Sequence, residues 1–417
     1  MYPTQLHSYL LWRSSVDPDP QALASRRHTA SVSLLPAAMV GIFVFGWWAG
    51  WVVLLSMLSA FTTDTICHRF IYKDSSGTRD GTWLLTGLLL GLMLPPNAPW
   101  WLPVIGAMLA LFLGKYYLSV DGMPLFQPAA LGLLLLYLVG VFAAAVSSGN
   151  PMLPSKNGTP MWPVLSRSVE PSAVSARALL SDFFGGDVRK SVTRQERNDA
   201  VFSANIPYYD AEKHIPAEAV HGPRPLDLVK ASPERPVGRV AGNPQDGTRP
   251  YDSVDMILGY MPAAIGGSSA FALGWGILLL IFTGAASWVL PAAALGTIVA
   301  ALYALSWLYG GGPDARVIAA NIPIHVLTGS TLLGIFYLAA DPTTAPRSFL
   351  GKVYAGVALG LIEVLLRVFT PLTEGIFLSV ILVQGSAIVI DQWLAPPVEK
   401  PRSSPHVGLS SSSLGRL

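Results

Sequence analysis

The feature that most constrains this chain is a series of apolar runs, each long enough, or nearly so, to cross a lipid bilayer. The 417 residues are 52% hydrophobic and only 12% charged, which is too apolar for a soluble globular protein of this length. We therefore predict an all-α integral membrane protein with about ten transmembrane helices. The predicted spans are residues 31–45, 47–66, 82–96, 99–118, 125–147, 266–286, 288–309, 321–340, 350–368 and 373–393.

Proline interrupts several of these spans. The breaks include Leu94-Pro95-Pro96 between the third and fourth spans and Asp341-Pro342 after the eighth. Irregular backbone at membrane depth is tolerated only when it is buried in protein or lines a cavity. We therefore expect broken helices in the interior of the protein.

A weak internal repeat relates the two groups of five spans. Trp47 precedes Thr86 by 39 residues, and Trp288 precedes Thr328 by 40. In each half a Leu-Thr-Gly sequence is followed by a proline break and then by Gly-Lys, at Gly114-Lys115 and Gly351-Lys352. Because each half has an odd number of spans, the second enters from the opposite side, which predicts two inverted five-helix repeats.

Lysine and arginine indicate the orientation, because they accumulate in cytoplasmic loops. With the N-terminus inside, twelve of them fall in inner segments, and only Arg316 and Arg367 fall in short outer loops. Both termini are therefore predicted to be cytoplasmic. The predicted divisions are a tail over 1–28, a first repeat over 29–147, a partly disordered extracytoplasmic insert over 148–253, a second repeat over 254–394 and a tail over 395–417.

Charge and cysteine content exclude several classes of function. The formal net charge is only +2, so no nucleic-acid partner is predicted. Cys67 is the single cysteine, so the chain cannot by itself hold an iron–sulfur cluster or a structural zinc site. It also has no Gly-x-Gly-x-x-Gly sequence for a dinucleotide. We predict no catalytic or metal-binding residues, and no oxidation of NADH or ferredoxin by the chain alone.

A set of short sequences, in order and at their spacing, resembles the NqrB/RnfD family, which includes the D subunit of the Rnf electron-transport complex and the B subunit of the sodium-pumping NADH:quinone reductase. The resemblance covers nearly everything except the tails and the insert. The matching stretches are Leu34-Leu35-Pro36-Ala37, Asp80-Gly81-Thr82, Leu85-Thr86-Gly87, Phe126-Gln127-Pro128-Ala129, Ile322-Pro323-Ile324-His325, Asp341-Pro342, Leu366-Arg367, Glu374-Gly375 and Ile390-Asp391.

This resemblance implies a multi-pass subunit of a complex in the bacterial inner membrane that couples electron transfer to sodium or proton transport. It implies FMN or riboflavin as cofactor. The implied partners are other subunits of the complex, the lipid bilayer and a quinone. Such a subunit is not an autonomous enzyme. The alternative, from a different class, is a stand-alone channel or transporter of inverted-repeat type that has lost the flavin.

The family attaches FMN to a threonine in a Ser-Gly-Ala-Thr-like sequence after the fifth span, and that sequence is missing here. Thr159 and Thr248 are the nearest substitutes, and the purely structural interpretation of each is a Gly-Thr turn in a polar loop. We therefore predict a noncovalent flavin between the two halves, with Thr159 as the fallback covalent site. The residues predicted to contact the flavin are Thr86, Phe126, His325 and Thr328.

Ionisable groups in spans are functional candidates. His325 is either a contact for flavin or quinone, a proton-relay member or a hydrogen-bonded packing residue. Asp341 either caps a helix or helps to coordinate a cation, and Asp391 is most simply an interfacial anchor; we assign both to a candidate ion path. Glu363 and Arg367 are four residues apart and predict an intrahelical ion pair.

Overall fold

The computed structural model describes residues 20–72, 80–96, 98–120, 123–148, 257–259, 263–308, 322–328, 330–370 and 375–394. The predicted insert, apart from residue 148, lies outside these ranges, as do Thr159, Thr248 and the C-terminal tail.

The described part before the insert consists of helices and one short strand pair. The first helix begins at Pro20, before the predicted boundary at residue 29. A two-residue antiparallel pair joins Ser119–Val120 to Met123–Pro124. The helices are α1 (Pro20–Ser33), α2 (Leu35–Phe45), α3 (Trp47–Cys67, continued by a π-helical turn over His68–Tyr72), α4 (Thr82–Met93), α5 (Trp101–Leu111, continued by a π-helical turn over Phe112–Tyr117) and α6 (Pro128–Ser148).

The described part after the insert is also helical, and its third apolar segment is broken. A 3-10 turn over Ile265–Gly267 leads into the first long helix. The helices are α7 (Ala270–Phe282), α8 (Val289–Leu308), α9 (Ile322–Leu327), α10 (Thr331–Leu333, continued by a π-helical turn over Gly334–Ala339), α11 (Phe349–Phe369) and α12 (Ile376–Leu394).

The predicted membrane class agrees with the lengths of these helices. Four helical segments are long and apolar enough to cross a membrane, and they cover Gln21–Phe45, Trp47–Phe70, Val289–Leu308 and Phe349–Phe369. Five shorter apolar helices accompany them, at Thr82–Met93, Trp101–Tyr117, Pro128–Val139, Ala270–Phe282 and Ile376–Ala387. The protein is thus an all-α membrane protein.

Small residues allow the helices within each half to approach closely. In the first half, the Ser56 hydroxyl of α3 donates a 2.7 Å hydrogen bond to the carbonyl of Gly87 in α4. In the second half, a Cβ atom on Gly360 of α11 would lie 2.7 Å from the carbonyl oxygen of Ala294 in α8. Close backbone contact at small residues is typical of helix association in membranes, because lipid removes the hydrophobic drive between helices.

The two Gly-Lys sequences of the predicted repeat are not structurally equivalent. Lys115 lies near the end of its helical segment, two residues before Tyr117. Lys352 lies in the first turn of α11. The two Gly-Lys sequences therefore occupy opposite ends of their helices, and their similarity comes from the frequency of small residues in membrane helices.

Two glycines bring the halves together. A Cβ atom on Gly41 of α2 would overlap the carbonyl oxygen of Ile265 from the second half. Reciprocally, a Cβ atom on Gly276 of α7 would overlap the carbonyl oxygen of Ser33 and lie 2.7 Å from the Tyr337 hydroxyl. The Ser33 and Tyr337 hydroxyls are themselves 3.0 Å apart. The interface between the halves thus depends on backbone contacts that leave no room for a side chain.

We expect Gly276→Ala to destabilise the protein by about 1–3 kcal/mol, because the added methyl group meets backbone rather than a flexible side chain. Gly274→Ala, two residues earlier in α7, is the matched control, because a Cβ atom there has nothing within 4 Å. The measurement is the thermal unfolding midpoint in detergent. Equal midpoints for the two variants would show that the halves do not pack through Gly276.

Candidate functional site

A buried group of charges joins four segments of the first half; we call it the Asp64 cluster, consisting of Arg27, Asp64, Asp80, Lys115 and Tyr116. The Lys115 ammonium lies 2.7 Å from Asp64 Oδ1 and 2.8 Å from Asp80 Oδ2. The Tyr116 hydroxyl donates a 2.8 Å hydrogen bond to Asp64 Oδ1. Arg27 of α1 lies 3.7 Å from Asp80 Oδ2. One lysine therefore bridges two carboxylates.

The two carboxylates of the Asp64 cluster differ in their access to water. The Asp64 side chain is 0% exposed, and the Asp80 side chain is 33% exposed. Burial works to raise the pKa of Asp80, but the nearby charges of Lys115 and Arg27 more than offset it and hold that pKa below its ordinary value. Asp80 is therefore an ionised carboxylate at neutral pH.

Sequence reasoning missed the role of Asp64. A carboxylate within the apolar run 47–66 is itself a signal, because ionisable groups in spans are rare and usually paired. Its partner Lys115 reads as a loop cation in the sequence, but it is buried within a helical segment. A separation of 51 positions along the chain hid the pair.

A second group of buried charges lies in the second half; we call it the Arg367 cluster, consisting of His325, Glu363, Arg367 and Ser379. The predicted ion pair between Glu363 and Arg367 is confirmed, and both side chains are almost fully buried. Arg367 Nη1 also donates a 2.8 Å hydrogen bond to the His325 carbonyl. The Ser379 hydroxyl donates a 2.8 Å hydrogen bond to Glu363 Oε2. Arg367 is therefore part of the interior and not of an outer loop.

The two clusters lie near different parts of the broken segment that runs from α9 to the π-helical turn over Gly334–Ala339. Arg27 of the Asp64 cluster lines a cleft together with Tyr337, which lies in the π-helical turn at the end of that segment. His325, at the start of that segment, belongs to the Arg367 cluster.

Two glutamines connect the halves near Tyr337. The Gln127 backbone amide donates a 2.9 Å hydrogen bond to Gln384 Oε1 of α12. Gln384 Nε2 donates to the Leu338 carbonyl at 3.0 Å and to the Thr344 hydroxyl at 2.8 Å. Gln127 Oε1 accepts a hydrogen bond from the amide of Ala130 in the first turn of α6. Gln127 is thus both a helix cap for α6 and a contact between the two halves.

A small cleft of about 20 Å³ opens where α1 and α4 meet the second half. Its wall is mostly apolar, with two arginines and one carboxylate at the edge. The lining includes Arg26, Arg27, Leu85, Phe336, Tyr337 and Asp341. None of the four residues predicted to contact flavin lines this cleft.

The four predicted flavin contacts lie in different surroundings. Thr86 is buried in α4. Phe126 precedes α6 and approaches Gly385 of α12. His325 and Thr328 lie together, because the Thr331 hydroxyl donates to both of their carbonyls at 3.3 Å. The structure thus brings two of the four together, and the described cleft does not fit a flavin held by this set.

Asp341 is not a helix cap. Its Oδ1 atom accepts hydrogen bonds from the amide of Thr343 at 2.8 Å and from the hydroxyl of Thr343 at 2.6 Å, which makes a local turn. The N-cap of α11 is Ser348, whose hydroxyl accepts from the Gly351 amide. Thr343 competes successfully for the carboxylate because it is only two residues away. Asp391 lies in α12, and its side chain is outside the described residues.

Comparison with known proteins identifies the family. Residues 18–400 match the model of the NQR2, RnfD, RnfE family. The chain belongs to this family. The resemblance noted in the sequence is therefore confirmed, and the match extends across both halves and the insert.

Members of the NQR2, RnfD, RnfE family with curated names resemble the chain over most of its length. The D subunit of the ion-translocating oxidoreductase complex from Halorhodospira halophila is 26% identical over 381 residues, which are 91% of this chain and 92% of the relative. The protein of the same name from Shigella boydii is 27% identical over 383 residues, 90% of this chain and 95% of the relative. That from Stutzerimonas stutzeri is 26% identical over 365 residues, 88% of each.

We expect Arg367→Met to destabilise this family member by about 3–5 kcal/mol, because it leaves the Glu363 carboxylate buried without its cation. Adding Glu363→Gln should recover most of the loss, since glutamine carries no charge and still accepts a hydrogen bond from Ser379. Thermal unfolding in detergent measures both. Arg69→Met is the control, because Arg69 is exposed. A double variant no more stable than Arg367→Met would contradict the ion-pair account.

Proposed function

We propose that this chain is a membrane subunit of an electron-transport complex that couples electron transfer to sodium or proton translocation. The observation that carries the proposal is the family match over residues 18–400, together with relatives named as the D subunit of an ion-translocating oxidoreductase complex. Buried ionisable groups in both halves support it, because such groups mark ion and proton paths in membrane proteins. The other subunits and the lipid bilayer are its proposed partners, with a quinone as the proposed small-molecule partner.

We propose further that the fold has ten spans in two inverted repeats. Gly41 is the seventh residue of α2 and Gly276 the seventh of α7, and each receives a carbonyl from the other half. Lys115 and Arg367 each lie two residues before the end of the fourth long segment of their half. These correspondences support the repeat better than the Gly-Lys sequences did.

The proposed location is the bacterial inner membrane, with both termini cytoplasmic. The contacts of the Asp64 cluster support the proposal that four helix ends lie on the same side of the membrane. These are the start of the first span, the end of α3, the start of α4 and the end of the segment containing Lys115. The excess of Lys and Arg in the connecting loops on that side makes it cytoplasmic. Asp341 and Arg27 line the same cleft.

The topology predicts that a reporter fused at Gly242, within the insert, is exported. An alkaline phosphatase fusion at this site should be enzymatically active. A green fluorescent protein fusion at the same site should be exported by the same route and should not fluoresce. Fusions after Leu417 should give the reverse result. A Gly242 fusion that behaves as cytoplasmic would overturn the orientation.

We propose that the chain binds FMN or riboflavin noncovalently, because the family's attachment sequence is missing. Denaturing electrophoresis under ultraviolet light is the test, and we expect no fluorescent band from the chain. A band that survives denaturation and is lost in Thr159→Ala would establish covalent attachment at the fallback site. Loss in Thr248→Ala instead would move the site towards the end of the insert.

The proposed function also predicts that a tagged chain, expressed from its native locus, purifies with several other membrane subunits and with electron-transfer activity. Deleting the chain should abolish ion translocation by that membrane fraction, and the chain alone should not oxidise NADH or ferredoxin. A chain that purifies alone, without colour, and conducts a solute in vesicles would instead support the channel alternative.

A further inference from the structure

We propose that Asp80, Lys115 and Asp64 form a proton relay that begins in water at Asp80 and ends at the buried carboxylate of Asp64. The proposal rests on the proposed ion-translocating function and assigns residues to one mouth of the ion path. The sequence predicted Asp341 as an ion-path residue, but Asp341 is held in a local turn. The proposal therefore places the mouth of the ion path in the first half of the protein instead.

The first support is a continuous line of hydrogen-bonding atoms from water to the interior. Asp80 is 33% exposed, so it exchanges protons with water. Lys115 Nζ is 2.8 Å from Asp80 Oδ2 and 2.7 Å from Asp64 Oδ1, and the Lys115 side chain is only 6% exposed. Each transfer along this line therefore takes place within one hydrogen bond, without movement of the backbone.

The second support is an unused acceptor at the end of the line. Asp64 Oδ1 accepts from both Lys115 and Tyr116, whereas Asp64 Oδ2 is buried and has no hydrogen-bond partner among the described residues. A buried polar atom without a partner costs free energy and requires an explanation.

The third support is the balance of charge around Asp64. Lys115 and Tyr116 face it from the end of the α5 segment, and Asp80 and Arg27 lie beyond Lys115. Within the described ranges, the other titratable groups nearby belong to the helix that carries Asp64 and are Cys67 and His68, whose ring packs on Tyr116. Two carboxylates and two cations give a neutral group.

A neutral group in a low-dielectric interior resists taking up a net charge. An added proton is therefore favoured when a negative charge arrives nearby, and an electron entering the complex supplies such a charge. This gives the cluster a physical means of linking electron arrival to proton uptake.

The transfer itself is a proton exchange without redox chemistry at these residues. An N–H bond of the Lys115 ammonium breaks, and an O–H bond forms on Asp64, which becomes a neutral acid. The neutral amine then takes a proton from water by way of the Asp80 carboxyl. Lysine suits this role because its ammonium can lose a proton, whereas arginine keeps its charge in proteins.

The test is Lys115→Arg in the whole complex, reconstituted in vesicles. The variant keeps the positive charge between the two carboxylates, and Lys352→Arg on α11 is the matched control. We expect assembly and uncoupled electron transfer near wild-type levels, but proton translocation per electron reduced by about tenfold or more. Wild-type proton translocation in Lys115→Arg would overturn the relay.

Two further outcomes separate the relay from the proposed function. If the wild-type complex moves only sodium, the relay is wrong and the ion-translocating function stands. If no complex assembles around the wild-type chain, the proposed function fails. Should Lys115→Arg not assemble, infrared difference spectra of the wild-type complex decide: a protonated carboxyl signal on reduction supports the relay, and its absence overturns it.

Discussion

The structure depends on the pairing of buried charges of opposite sign, because lipid and the protein interior solvate charge poorly. Asp64 and Lys115 on one side, and Glu363 and Arg367 on the other, are buried and paired. Removing one partner of such a pair is far more costly than removing both, because the remaining ion has no water to turn to. The Asp64–Lys115 pair consequently holds the end of α3 against the end of the α5 segment.

The same constraint separates local from long-range pairing. Glu363 and Arg367 are one helical turn apart, so the ion pair holds as soon as α11 forms. Asp64 and Lys115 belong to different helices and meet only after α3, α4 and the α5 segment have packed. The Glu363–Arg367 pair therefore depends on a single helix, whereas the Asp64–Lys115 pair depends on the assembly of the first half of the protein.

Much of the fold was predictable from the sequence, because a span leaves a continuous apolar run of residues. The ion pair in α11 was predictable from its spacing. Asp64 with Lys115 was not, because the sequence does not say which helix ends meet. Asp341 was misjudged for a related reason: a cap at the start of α11 and a turn with Thr343 look alike until the positions of the competing donors are known. The flavin contacts stay a prediction.

The reciprocal glycine contacts between the halves bear on the order of folding. Gly41 receives the carbonyl of Ile265, which is synthesised more than two hundred residues later. During synthesis Gly41 must therefore wait without this contact until the residues between α2 and Ile265 have been made. Contacts so distant in the chain form slowly. The contact between the halves is thus timed by the synthesis of the insert, and a longer insert would lengthen the interval in which the first half lacks its partner helices.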